Sequence, residues 1–198
     1  MAEIYTGTKF GTRKQSDSLP QHAALAELKN YCAEFAEKGY APPYEGGSSG
    51  NLSFRAKAGS NAFYVTASYT ALGKNMSDSD FCLVHEVDFQ SGTVIFSGTR
   101  NPSSEAMMHD AIYKARPEIM AVFHGHSEDI MEAASKLQMP VTQHEMPYGT
   151  LEVVTEMLKI LDQHTLFILK NHGFVSLGAT MEYAAEEADF YADIANVL

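Results

Sequence analysis

Two histidines flank a glycine in Phe123-His124-Gly125-His126-Ser127, directly after the apolar run Ile119-Met120-Ala121-Val122. If residues 119–123 form a strand, the two-residue side-chain period puts His124 and His126 on one face, about 7 Å apart by rise. Both imidazoles can then reach one metal ion. A third histidine stands in Lys170-Asn171-His172-Gly173, just past a second apolar run, Thr165 to Leu169. If the two strands are neighbours, three neutral nitrogens converge on one rim. Such a set suits Zn²⁺ or a similar divalent transition metal and leaves a position open for substrate. Taken singly, each histidine is a strand end or a turn residue, and only the constellation argues for a metal.

Glu105 offers a fourth group. It follows Pro102-Ser103-Ser104 at a predicted helix start, where the dipole and free N–H groups favour an anion. A carboxylate there can bind the metal at rest and carry a proton once substrate displaces it. His109 lies four residues on and shares the helical face, either supporting the site from behind or packing in the core. Gly50-Asn51 and Ser103-Ser104 are candidates for a phosphate cradle. Glycine permits close backbone approach, the amide can donate, and hydroxyls at a helix N-terminus bind anions.

These groups need a scaffold, and the chain has the means to build one. Its 198 residues are 45% hydrophobic and 20% charged, with 11 Phe and 10 Tyr, enough for one domain with a sizeable core. The net charge of −11, without a Lys/Arg cluster, argues against nucleic acid and anionic membrane surfaces as partners. Cys32 and Cys82 are not in metal-type spacing and read as core residues. No apolar run approaches the ~18 residues a membrane span requires, and a cytoplasmic location is expected.

Residues 1–17 are polar and aperiodic and read as a loose tail, leaving 18–198 as a single domain. Apolar Leu25, Leu28, Cys32, Phe35 and Ala36 predict a helix from Pro20 to Lys38, stopped by Gly39. Strands are expected at 52–55, 62–66, 81–87 and 93–96. Further along, helices are expected at 102–116, 129–137, 150–161 and 180–197, with strands at 118–123 and 165–169. Early strands arrive as hairpins and later ones are separated by helices. The expected architecture is therefore α/β, with a mixed sheet covered by helices on both faces in three layers.

The motifs Gly50-Asn51-Leu52-Ser53, Pro102-Ser103-Ser104-Glu105 with His109, Arg116-Pro117, His124-Gly125-His126-Ser127 and Asn171-His172-Gly173 occur in the order seen in the class II aldolase/adducin family, which this chain resembles from about residue 20 to its end. The resemblance implies a three-layer α/β/α sandwich with a mixed, mostly antiparallel sheet of about nine strands. It matches His124, His126 and His172 to ligands of a divalent metal, usually zinc, and Glu105 to a catalytic acid/base that also contacts the metal. Gly50, Asn51, Ser103 and Ser104 match positions that hold a substrate phosphate. The implied reaction is cleavage of a ketose 1-phosphate, or a related hydroxy-ketone, to dihydroxyacetone phosphate and an aldehyde through a metal-stabilised enediolate. A homotetramer with sites at subunit interfaces is also implied.

The chain departs from the family pattern in two places. In Thr66-Ala67-Ser68-Tyr69 a tyrosine stands where the second phosphate loop usually has glycine. Ser68 remains a candidate phosphate contact, and Lys74 is a possible substitute charge. The segment 139–149 looks shorter than usual, so the proton donor that normally lies there falls to His144 or Tyr148. Glutamate at 105 favours a carbon–carbon lyase over an epimerase. A dehydratase or decarboxylase on the same metal platform is the enzymatic alternative. An adducin-like interaction module without catalysis is the non-enzymatic one.

Overall fold

Successive residues of the apolar runs part across the sheet. Leu52, Phe54, Phe123, Leu166 and Ile168 enter one core, while Phe63, Val65, Val122, Phe167 and Leu169 enter another. This is the period-two alternation of strands buried on both faces. The structure, a computed structural model, describes residues 7–198. The elements run β1 (Gly11–Ser16), α1 (Leu25–Glu37), β2 (Pro43–Tyr44), β3 (Gly47–Ser48), β4 (Asn51–Arg55), β5 (Phe63–Thr66), β6 (Phe81–Asp88) and β7 (Thr93–Ser97) in the first half. The second half comprises α2 (Ala106–Ala115), β8 (Ala121–Gly125), α3 (Glu128–Ala133), α4 (Leu151–Leu158), β9 (Leu166–Leu169), β10 (Gly173–Gly178) and α5 (Met181–Ala195).

Eight strands form one sheet in the order β1-β7-β6-β5-β4-β8-β10-β9, and β2 with β3 makes a separate small ribbon. Every neighbouring pair in the large sheet is antiparallel except the parallel pair β1 and β7. Helix α1 sends Leu25, Leu28, Cys32 and Phe35 into one core, joined by Ala184, Ala185 and Ala188 of α5. Helices α2 and α4 cover the opposite face through Met108, Ile112, Val153 and Met157. The three-layer mixed sheet expected from the sequence is present, with eight strands in place of nine.

Three local expectations are corrected. The tail expected over residues 1–17 is ordered in its second half: Gly11–Ser16 pairs with β7 as an edge strand, and only residues 1–6 lie outside the described residues. All six side chains of β1 are exposed, so its place is set by backbone pairing that an apolar pattern cannot signal. Helix α1 begins at Leu25, five residues after Pro20, because the chain first makes a turn in which His22 Nδ1 accepts the Ala24 N–H. The third correction is β10, which sequence patterning missed. It lies between β8 and β9, so the strands bearing the histidines are not neighbours. Residues 170–172 form the tight turn of the β9–β10 hairpin, with Asn171 at φ +57, a left-handed conformation that Asn tolerates.

Helix α2 is pinned at its far end by a buried arginine. Arg55 donates to the carbonyls of Tyr113 and Arg116 as well as to Ile119, and its guanidinium sits 4.6 Å from the Tyr113 ring centroid. Those two carbonyls belong to the helix end, where intrahelical donors run out. The helix that opens at Glu105 is thereby fixed against β4. Among the described residues no helix is long and apolar enough to cross a membrane.

Candidate metal centre and cleft

The sheet brings the three predicted histidines together. His124 is the fourth residue of β8, His126 follows the end of that strand, and His172 sits in the β9–β10 turn. Their candidate ligand atoms all lie within 4.8 Å of one another. His124 Nε2 is 3.1 Å from His126 Nε2, and the three ring centroids are 4.9 to 5.1 Å apart. The His124 Nδ1–H donates to the Phe174 carbonyl at 2.7 Å. That bond settles the tautomer and turns the Nε2 lone pair toward the cluster, as ligating histidines require. Gly125 makes the pair possible, because a Cβ there would lie 2.5 Å from Phe174 Cζ and 3.2 Å from Phe35 Cε1.

Glu105 completes the cluster. It is the N-cap residue of α2, and its backbone N–H donates to Ser103 Oγ at 3.2 Å. Its Oε2 lies 3.2 Å from His124 Nε2 and its Oε1 3.2 Å from His172 Nε2. Asn51, directly opposite His124 in the β4–β8 register, donates through Nδ2 to Glu105 Oε2 at 2.7 Å. Burial pushes the Glu105 carboxyl up, but His124, His172 and the Asn51 hydrogen bond more than offset this and hold it well below the usual carboxylate range. Burial lowers His124, against the pull of Glu105. His126 is driven well below its ordinary value by burial and by its two histidine neighbours. Glu105 Oε1 is buried without a hydrogen bond. Lewis bases crowded around one point, with one carboxylate oxygen unsatisfied, form a donor set that fits a divalent cation.

Behind Glu105 runs a buried polar chain. Asn51 Oδ1 faces His109 Nε2 at 2.6 Å, His109 Nδ1 meets Ser53 Oγ at 2.6 Å, and Ser53 Oγ meets the Tyr113 hydroxyl at 2.8 Å. His109 is therefore polar-bonded on both ring nitrogens and also packs in the core, where Phe63 stacks on it at 6.3 Å. Ser53 and Tyr113 were not anticipated. The signal available was a serine at a core-facing position between Leu52 and Phe54, and a tyrosine four residues after His109.

Beside the cluster is a cleft of about 1110 Å³ lined in part by Gly50, Asn51, Ser68, Ser103, Ser104 and Tyr148. Gly50 has φ +82, and a Cβ there would stand 2.8 Å from the His124 carbonyl, so glycine is needed on both grounds. Two loops are sewn together at the cleft floor. Ser68 N–H donates to Asn101 O at 2.9 Å, Ser68 Oγ to Pro102 O at 2.7 Å, and Ser103 N–H to Thr66 O at 3.0 Å. Tyr69 takes φ +54, the left-handed conformation glycine would adopt without strain, so the loop keeps its shape at a cost of about 1–2 kcal/mol. The residue is 46% exposed, and its ring packs beside Gly46 and Gly7. Thr70 also lines the cleft, with its hydroxyl oxygen buried and unpaired.

Two predicted site residues are not brought to the cleft. Lys74 is exposed on the other side of α1, paired with Glu37, and lines a shallow hollow with Lys29 and Met76. His144 is exposed and does not line the cleft. Tyr148 is buried and lines it, with Lys9 Nζ 3.6 Å from its ring centroid. The neighbouring Gly149 has φ +68 and packs its backbone on Ser104, which fixes the position of the tyrosine.

The same fold recurs in known proteins. The family model described as the class II aldolase and adducin N-terminal domain matches residues 26–198, and the chain belongs to that family. L-fuculose phosphate aldolase of Methanococcus vannielii is 30% identical over 172 residues, spanning 80% of this chain and 88% of the relative. 3-oxo-tetronate 4-phosphate decarboxylase of Pectobacterium atrosepticum is 27% identical over 218 aligned positions, spanning 100% of this chain and 91% of the relative. A solved structure of L-fuculose 1-phosphate aldolase superposes with a TM-score of 0.70 at 25% identity, covering 90% of this chain and 87% of that one. The protein is an enzyme of the class II aldolase superfamily, a metal-dependent class.

Proposed function

We propose that the protein is a class II lyase that cleaves a carbon–carbon bond in a phosphorylated hydroxy-ketone, an aldolase acting on a ketose 1-phosphate to release dihydroxyacetone phosphate and an aldehyde. The observation that carries this is the convergence of His124, His126, His172 and Glu105 at the end of a cleft with hydroxyl and amide donors. A divalent ion held by the three imidazoles, with Glu105 in contact at rest, would act as a Lewis acid on the substrate carbonyl and stabilise negative charge developing next to it.

The chain's own residues do the rest. Ser68, Ser103 and Ser104, with the backbone at Gly50 and the Asn51 amide, line the wall assigned to the phosphate. Cleavage takes a proton from the hydroxyl that becomes the aldehyde carbonyl and delivers one to the carbon left behind. Tyr148 is assigned to hold the first oxygen by a hydrogen bond, and Glu105, held ionised at rest, is assigned to take up the proton that oxygen releases and return it to the carbon. His144 and Lys74 are given no role. Zinc suits the all-nitrogen histidine set. A homotetramer, for which Tyr183 and Phe190 stand exposed on α5, and a cytoplasmic location complete the proposal.

A decarboxylase is the second reading, supported by the whole-length similarity to 3-oxo-tetronate 4-phosphate decarboxylase. Both reactions leave a carbanion beside a carbonyl and differ in the group expelled. The deciding experiment loads the purified protein with zinc, verifies about one ion per chain by plasma mass spectrometry, and supplies ketose 1-phosphates and 3-oxo-acid phosphates in parallel. Aldehyde release supports the aldolase. Carbon dioxide release supports the decarboxylase, and failure to bind any divalent metal would overturn both.

A further inference from the structure

The polar chain behind Glu105 has a direction. Glu105 in its ionised form only accepts, so the Asn51 group 2.7 Å away must be the amide N–H, leaving Asn51 Oδ1 toward His109. Facing an acceptor at 2.6 Å, His109 Nε2 must carry its proton. A neutral imidazole then has a bare Nδ1, so the Ser53 hydroxyl at 2.6 Å must donate to it. With its proton on His109 Nδ1 at 2.6 Å and not on the Val122 carbonyl at 3.4 Å, Ser53 Oγ accepts from the Tyr113 hydroxyl at 2.8 Å. Ser53 and His109 are fully buried and Asn51 and Tyr113 nearly so, which makes an unmatched donor or acceptor anywhere in the series costly.

We propose that Glu105 orients, and His109, Ser53 and Tyr113 complete, a one-way hydrogen-bond chain that holds the Asn51 amide with its N–H toward the carboxylate, and that His109 and Ser53 are thereby positioning residues for Glu105. Reversing the amide would set two acceptor oxygens 2.7 Å apart at Glu105 and would require His109 to move its proton to Nδ1. The acceptor-only carboxylate of Glu105 sets the direction, and the chain carries it across two elements, since Asn51 and Ser53 lie on β4 while His109 and Tyr113 lie on α2. The consequence for turnover rests on the role proposed for Glu105, whereas the direction of the chain does not.

The test is nitrogen NMR on the purified zinc-loaded protein with labelled histidine, with the His109 resonances assigned by their loss in His109→Gln. The expected wild-type signature is a proton on Nε2 and a bare Nδ1. Ser53→Ala, a change too small to unfold the strand, removes the donor to Nδ1, and the Nε2–H tautomer should lose its exclusivity. In the same variant kcat should fall about tenfold with KM and zinc content unchanged. His109→Gln, whose amide can donate to Asn51, should retain more turnover than His109→Leu. A wild-type Nδ1–H tautomer overturns the proposal, as does a Ser53→Ala protein with the wild-type tautomer and full kcat. A wild type that shows Nε2–H but cleaves no substrate would strike the proposed function and leave the chain standing.

Discussion

His109 should make the protein acid-labile by an amount that can be worked out. Burial drives this imidazole from its ordinary 6.5 to about 3, with Glu105 opposing the fall and His124 adding to it. The unfolded chain therefore takes up a proton on His109 below pH 6.5, whereas the folded protein does not until about pH 3. The unfolded state binds more protons throughout that window, so stability falls as pH falls. Between pH 8 and pH 5 the loss is about 2 kcal/mol, one and a half pH units at about 1.4 kcal/mol each. His109→Gln does not titrate and can still hydrogen-bond in place. Urea unfolding of the metal-free wild type and variant, followed by circular dichroism at each pH unit from 5 to 8, isolates the residue by difference. The wild type should lose about 2 kcal/mol relative to the variant on acidification, most of it below pH 6.5. A difference that stays flat with pH, or an imidazole that titrates near 6 in the folded protein, would refute the reasoning.

Three further outcomes are expected. Glu105→Gln should lower kcat by about a hundredfold to ten-thousandfold while plasma mass spectrometry finds the wild-type zinc content; loss of the ion would instead make Glu105 an essential ligand. Tyr148→Phe should slow turnover by about a hundredfold, whereas exposed His144→Ala should leave it unchanged, and the reverse pattern would move that role to His144. Gly125→Ala places a Cβ 2.5 Å from Phe174 Cζ and should cost about 1–3 kcal/mol in urea unfolding; an unshifted midpoint would mean that Phe174 moves freely, contrary to its full burial.

Much of the site was legible because its residues sit at local landmarks. His124 and His126 share a face by strand period, and Glu105 sits at a helix start marked by Pro102-Ser103-Ser104. Gly50 marks a backbone conformation that the structure does adopt, at φ +82. The errors fall where local pattern carries no information. Strand β1 has no buried side chain, and β10 follows directly on the turn at 170–172, with glycine at both of its ends. Lys74 and His144 have suitable chemistry near the right motifs, but the backbone carries both to other surfaces. Tyr69 stands where the family's loop usually has glycine, and it takes the left-handed backbone conformation open to glycine, at φ +54.

The sequence by itself determined most of the helices and strands and the two-sided burial of the sheet, because alternation, capping and turn chemistry act over a few residues and leave their mark there, and its motifs marked the family and the three histidines that the fold brings together. Only the tertiary structure decided that β10 stands between β8 and β9 and that the β9–β10 turn delivers His172 to Glu105. It alone joined Ser53 to Tyr113 across β4 and α2, and separated Tyr148 from His144. Those outcomes depend on strand order and helix docking, which are settled by packing among residues distant in the chain and have no local signature.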